Sequence, residues 1–185
     1  MKKYYTIESN AWDESSEIRL GAIPESIDRR AYLLDEWQYI NDEKEFILYE
    51  KLGEEMPDIY TYNIPLISAR FKEILDSAGV NNVFYKPVDL CNEDDELSEY
   101  YLMLVKPVDC VVWEKTEHTV SELSGLKKII GGFEIDDKNL GSYKLFKIKD
   151  ILNKFWVIDE EIKEKIEEAG LVGIKLLELS EYYGL

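Results

Sequence analysis

Between Ile64 and Leu90 the spacing of apolar residues changes from helical to alternating. Pro65 lacks a backbone N–H and breaks any element that would run through it. Ser68 stands where a helix N-cap belongs, its hydroxyl able to accept an orphan backbone N–H. Phe71, Ile74, Leu75 and Ala78 recur at i, i+3, i+4 and i+7, one apolar stripe facing a core. Gly79 supplies the left-handed residue that ends a helix. Val80, Val83, Phe84 and Tyr85 then read as a strand, stopped by Pro87. The pattern is a helix–Gly–strand unit.

The same pattern returns near the end of the chain. Asp159 reads as a second N-cap, with Glu160 and Glu161 in the first turn, where the helix dipole favours them. Ile162, Ile166 and Ala169 form the stripe, Gly170 closes the helix, and Gly173 to Leu179 is a strand. The two units align without gaps, Phe71 on Ile162, Leu75 on Ile166, Gly79 on Gly170 and Val83 on Ile174. An internal duplication explains this register. So does the generic form of a capped amphipathic helix that leads into a strand.

Elsewhere the pattern predicts mostly strands. Tyr4–Glu8, Phe46–Leu52, Tyr100–Lys106, Val108–Trp113 and Phe155–Ile158 are short apolar or alternating runs. Tyr100–Lys106 is nearly continuous and reads as a central strand. Pro24 opens a helix with Leu33, Leu34 and Trp37 as its stripe. Ser9–Ser16, Glu54–Tyr62 and Glu114–Leu126 read as connectors, the last with a helical turn. Ile129–Ile135 and Tyr143–Ile148 flank a run of turn formers, which predicts a hairpin. Gly131-Gly132 marks a bulge or close packing. These elements imply an α+β fold, a mixed and mainly antiparallel sheet packed against two or three amphipathic helices. A chain of 185 residues is expected to form a single domain, 1–185, with 64–179 as its core and 1–62 as a less regular N-terminal portion.

Composition narrows the function classes. The formal net charge of −17 repels nucleic acid and anionic membranes and attracts basic surfaces. The longest apolar runs are a few residues, too short for a membrane span. No apolar segment follows Lys2-Lys3 as a signal peptide requires, so a cytoplasmic location is expected. Cys91 and Cys110 match no zinc or redox spacing and are expected as buried, inert thiols.

Reactive chemistry is sparse. Glu114, Glu117 and His118 suggest a general base with carboxylate support, although their local sequence places them equally in a polar surface loop. The acidic run Glu93-Asp94-Asp95-Glu96 lacks the alternating ligands and turn glycine of a calcium loop. Asp136-Asp137-Lys138-Asn139 lacks the closing glutamate. There is no phosphate-cradling glycine loop and no nucleophile elbow. No catalytic, cofactor-binding or metal-ligating residue is assigned.

Several motifs, in order, resemble one family. They are Pro65-Leu66-Ile67-Ser68 with Arg70-Phe71, then Gly79, Pro87-Val88, Tyr100-Tyr101 and Val108-Asp109. Leu145-Phe146-Lys147 and Gly170-Leu171-Val172-Gly173 complete the series. The series is similar to an immunity-protein family of bacterial polymorphic toxin systems. The resemblance covers Ile64 to Leu179 and, before that, only the tyrosine-rich start. It implies an α+β protein that binds a cognate toxin in the cytoplasm and blocks it, without catalytic residues or cofactor. A toxin with a basic, phosphate-holding cleft would be steered by an acidic inhibitor. On that expectation Glu93, Asp94, Asp95, Glu96, Asp136 and Asp137 are candidate toxin contacts, and Trp113 a candidate anchor. Two alternatives stand beside it: a regulatory or structural interaction domain unrelated to toxins, and a hydrolase built on Glu114, Glu117 and His118.

Overall fold

The computed structural model describes residues 2–184. The first half contains β1 (Tyr4–Ser9), β2 (Ile18–Leu20), α1 (Arg29–Leu33), β3 (Glu45–Lys51), β4 (Ile59–Tyr60), β5 (Leu66–Ser68), α2 (Ala69–Ser77) and β6 (Val83–Cys91). The second contains β7 (Leu97–Val105), β8 (Pro107–Val108), β9 (His118–Val120), β10 (Lys127–Ile129) and α3 (Asp137–Leu140). It ends with β11 (Leu145–Ile148), β12 (Trp156–Asp159), α4 (Glu160–Ala169) and β13 (Ile174–Glu178). The strands divide into a six-stranded sheet, β2-β3-β6-β7-β5-β4, a five-stranded sheet, β13-β1-β12-β11-β8, and the small hairpin β9-β10. All neighbours are antiparallel except β3 with β6 and β8 with β11. The fold is α+β, as the pattern implied.

The two helix–Gly–strand units keep their register in three dimensions. Ser68 and Asp159 both cap their helices, accepting from the N–H of Phe71 and Ile162 at 3.2 and 3.1 Å. Gly79 and Gly170 both have positive φ, 76° and 60°. Each unit also holds one antiparallel strand between its two own strands. That strand is β7 between β5 and β6, and β1 between β12 and β13. Tyr100-Tyr101 of β7 face Ser68 and Ile67 as Tyr4-Tyr5 of β1 face Asp159 and Ile158. β7 follows β6 directly through the Glu93–Glu96 turn, whereas β1 comes from the start of the chain, so the second unit is completed only by a segment distant in sequence.

One buried core joins the units. Phe71 and Leu75 of α2, Ile162 and Ile166 of α4, Ile67, Met103, Ile7 and Ile158 all lie within it. The helix ends are tied reciprocally. Arg70 donates to the carbonyl of Ala169, at the end of α4, at 3.0 Å. Lys144 donates to the carbonyl of Ala78, at the end of α2, at 2.9 Å, and pairs with Glu161 at 2.6 Å. A cation at a helix C-terminus answers the orphan carbonyls and the dipole. Glu161 holds in α4 the place that Arg70 holds in α2.

The outer face of each sheet is covered by an insert. Residues 10–57 supply Ile18, Ile27, Ala31 and Tyr32 to a second core on the six-stranded sheet. Residues 106–143 supply Cys110, Ile129, Phe133 and Leu140 to a third on the five-stranded sheet.

The structure departs from the sequence pattern at several places. Pro87 does not stop a strand; β6 runs through it to Cys91. The ladder with β3 begins only at Val88, so the missing N–H lies where the strand gains its second neighbour. Pro24 opens no helix. α1 starts after Asp28, which caps Arg30 N–H, and it buries Ala31 and Tyr32 while Leu33 and Leu34 face solvent. Residues 129–135 and 143–148 form no hairpin, because Asp136 caps the short helix α3 between them and β11 pairs with β12 and β8. Residues 114–126 hold β9 as well as a turn, and of the strand expected at 108–113 only Val108 lies in one, together with Pro107 in β8. Ala169 is exposed and outside the stripe. Gly132 is a close-packing site, since a Cβ there would lie 2.6 Å from the Ser180 carbonyl oxygen.

Burial raises the Asp159 carboxyl above the ordinary carboxylate range, outweighing the Ile162 N–H that lowers it. A folded-state pKa above the unfolded one means that ionisation opposes folding. The penalty is full at neutral pH and fades as pH falls through the folded value. Asp159→Asn keeps a cap and removes this penalty. In urea unfolding it should match or exceed the wild type at pH 7, and the advantage should shrink as the pH is lowered. Asp159→Ala loses the cap and should be less stable by about 1 kcal/mol.

Candidate functional site

Glu93, Asp94, Asp95 and Glu96 form the tip of the β6–β7 hairpin, and all four are exposed. Asn92 shapes the turn. Its Oδ1 accepts from the N–H of Asp94 at 3.0 Å and of Glu96 at 2.9 Å, and its Nδ2 donates to the Glu96 carboxylate at 2.9 Å. Asp95 has φ of +61°, a conformation that Asp adopts more readily than most residues. The backbone of the turn is thus fixed by Asn92, and its carboxylates present negative potential to solvent.

The other three candidates lie elsewhere, around the third core. Trp113 is half-buried, with Lys127 Nζ 3.9 Å above its ring and His118 edge-on at 5.0 Å. Asp136 accepts from Lys138 N–H at 3.0 Å as the cap of α3, and its own N–H donates to the Cys110 carbonyl at 2.7 Å. Asp137 is exposed beside the Tyr4 hydroxyl, which burial and this neighbour push up to about 12. The seven candidates therefore fall into two groups on two different sheets. Asp136 and Trp113 already have partners within the fold.

His118 sits in β9, its Nδ1 2.8 Å from the Thr116 carbonyl oxygen. Glu114 and Glu117 are exposed. The Glu117 carboxylate lies over Gly131, in space that a Cβ there would need. Glu114 and Glu117 are thus not gathered around the imidazole. Among the described residues no group of three or more His, Cys, Asp or Glu is arranged to hold a metal ion.

A cleft of about 230 Å³ opens between the halves, lined by Leu33, Asp35, Tyr62, Leu104, Lys147 and Leu152 among others. Lys147 Nζ bridges to both Asp35 oxygens, at 2.8 and 3.1 Å. Asp35 has a φ of +56°. The volume is below the several hundred Å³ typical of small-molecule sites, so the cleft suits one or two side chains. Sequence reading missed it because Asp35 and Lys147 are far apart along the chain and neither stands in a motif that pairs them.

The chain belongs to the Imm11 immunity protein family. The family's sequence model spans residues 3–181, both sheets and all four helices. The match takes in the N-terminal third, where the resemblance rested only on tyrosines. No curated protein matches the sequence. Among the described residues of this Imm11 member, no helix is long and apolar enough to cross a membrane.

The two thiols differ. Cys110 is buried, and burial with Asp109 and Asp136 nearby pushes it up to about 12. Cys91 is only half-buried, at the end of β6. Against a disulfide-exchange reagent at pH 8, one thiol per native chain should react readily and a second only after denaturation. Labelling should map to Cys91, and a Cys91→Ser variant should leave the native protein unreactive.

Proposed function

We propose that this Imm11 member binds a cognate bacterial toxin in the cytoplasm and neutralises it by occupying part of its surface. The observation that carries this reading is the family match across residues 3–181. The formal charge of −17 supports it, because a nuclease or other anion-binding toxin has a basic cleft that an acidic inhibitor reaches quickly. The preshaped acidic hairpin at Glu93–Glu96 also supports it, since a turn already held by Asn92 loses little freedom on binding.

Co-expression tests the proposal. Cells producing the toxin encoded beside this gene should survive when this protein is also produced, and the two should co-purify as a stoichiometric complex. Cell death at an unchanged rate, with no complex recovered, would reject it for that toxin.

A further inference from the structure

The face of the six-stranded sheet that packs on α2 is only partly covered. α2 lies over the row of Tyr85 and Tyr101, with Lys72 Nζ 4.9 and 5.4 Å from their rings. Beyond Pro87 the same face continues without a helix. Side chains alternate along a strand, so Pro87, Asp89 and Cys91 share this face with Tyr85, and Glu99 and Leu97 share it with Tyr101. The register brings Leu48 of β3 beside Cys91, and Cys91 opposite Leu97 of β7. Phe46 lies one step along β3, beside Asp89.

Three of these apolar side chains stand in solvent: Phe46 is 57% exposed, Leu48 68% and Leu97 57%. Isolated exposed apolar residues are ordinary, but here Leu48 of β3 and Leu97 of β7 flank Cys91 of the intervening β6, with Phe46 next along the same face of β3, which marks an interaction surface. A shallow hollow of about 310 Å³ lies between Leu48, Cys91 and Leu20.

The rim of this face is acidic. The Glu93–Glu96 turn directly joins Cys91 to Leu97, and Glu50 and Glu99 flank the row. The cations nearby are already paired, Arg19 with Glu50 at 2.9 Å and Lys44 with Asp89 at 2.7 Å. Two copies of this face would bring two acidic rims together, in a chain whose net charge is already −17, so self-association is opposed. A partner with an apolar centre ringed by Lys and Arg complements it in both respects.

We infer that the open face of β3, β6 and β7, centred on Phe46, Leu48 and Leu97 and rimmed by Glu93–Glu96, is where a basic, apolar-centred protein surface docks. The inference rests on the proposed toxin binding and adds which face does it. The interface would bury the apolar row as its core and leave the carboxylates at its edge, where they speed encounter.

The test uses the full chain and the toxin encoded beside its gene. The double variant Phe46→Ser, Leu48→Ser changes no charge and removes side chains that the fold leaves in solvent. It should unfold at the wild-type urea midpoint yet bind at least about 30-fold more weakly. Neutralising the turn with Glu93→Gln, Asp94→Asn, Asp95→Asn and Glu96→Gln should slow association by about tenfold and change dissociation little. Alkylation of Cys91 should slow in the complex. Wild-type-like affinity in the double variant, with Cys91 still labelled at the free rate, would overturn this face while leaving toxin binding standing. No binding by the wild type would instead remove the proposed function beneath it. A dimer of the free protein that the double variant dissociates would show that a second copy occupies the face, and would also overturn the inference.

Discussion

The structure depends on one shared core, into which two half-chains each insert an amphipathic helix. α2 and α4 can bury Phe71, Leu75, Ile162 and Ile166 only against each other and against both sheets. The inserted strands add a dependence of the second unit on the start of the chain. β7 completes the sheet around β5 and β6, and β1 completes the sheet around β12 and β13. Arg70 and Lys144 then fasten the helix ends across the halves. A generic capped helix leading into a strand requires none of this correspondence. The matching tyrosine pairs and the matching position of the inserted strand carry the correspondence of the two units from sequence into three dimensions.

The same geometry decides which surfaces remain open. Each insert covers the outer face of one sheet, and α2 and α4 share the inner faces. α2 is short, however, and β6 and β7 are long strands. Their far ends, together with β3, extend past the helix and keep apolar side chains in water. Completing the burial of these partly covered side chains would be favourable by roughly 1–2 kcal/mol each, so an exposed row of them is a standing tendency to associate. The acidic hairpin beside it limits which surfaces are admitted, because like charge opposes a second copy and opposite charge favours a basic partner.

Where structure follows from local chemistry, the sequence was legible. Ser68, Gly79, Asp159 and Gly170 announce their caps without reference to the rest of the fold, and the continuous run at Tyr100 announces a strand covered on both faces. Pairing over long distances was not legible. Nothing local tells that Tyr4 and Tyr5 belong beside Ile158, or that residues 129–135 are separated from 143–148 by a helix rather than a turn. The apolar residues Leu33 and Leu34 misled because their neighbours Ala31 and Tyr32 are the ones that face the core. The acidic turn could be read as solvated, but its neighbour Leu97 and the outward-facing Phe46 and Leu48 acquire meaning only once the register places them on one face, either side of β6. Asp136 and Trp113 looked like free recognition residues and are engaged within the fold, one as a helix cap and one beneath Lys127.

The most direct test of the account is the rate at which the purified protein associates with its toxin, measured by stopped flow over a series of salt concentrations. An acid-rimmed apolar face predicts an association rate that falls by about tenfold or more as ionic strength rises, with a nearly constant dissociation rate. An association rate independent of salt would contradict it.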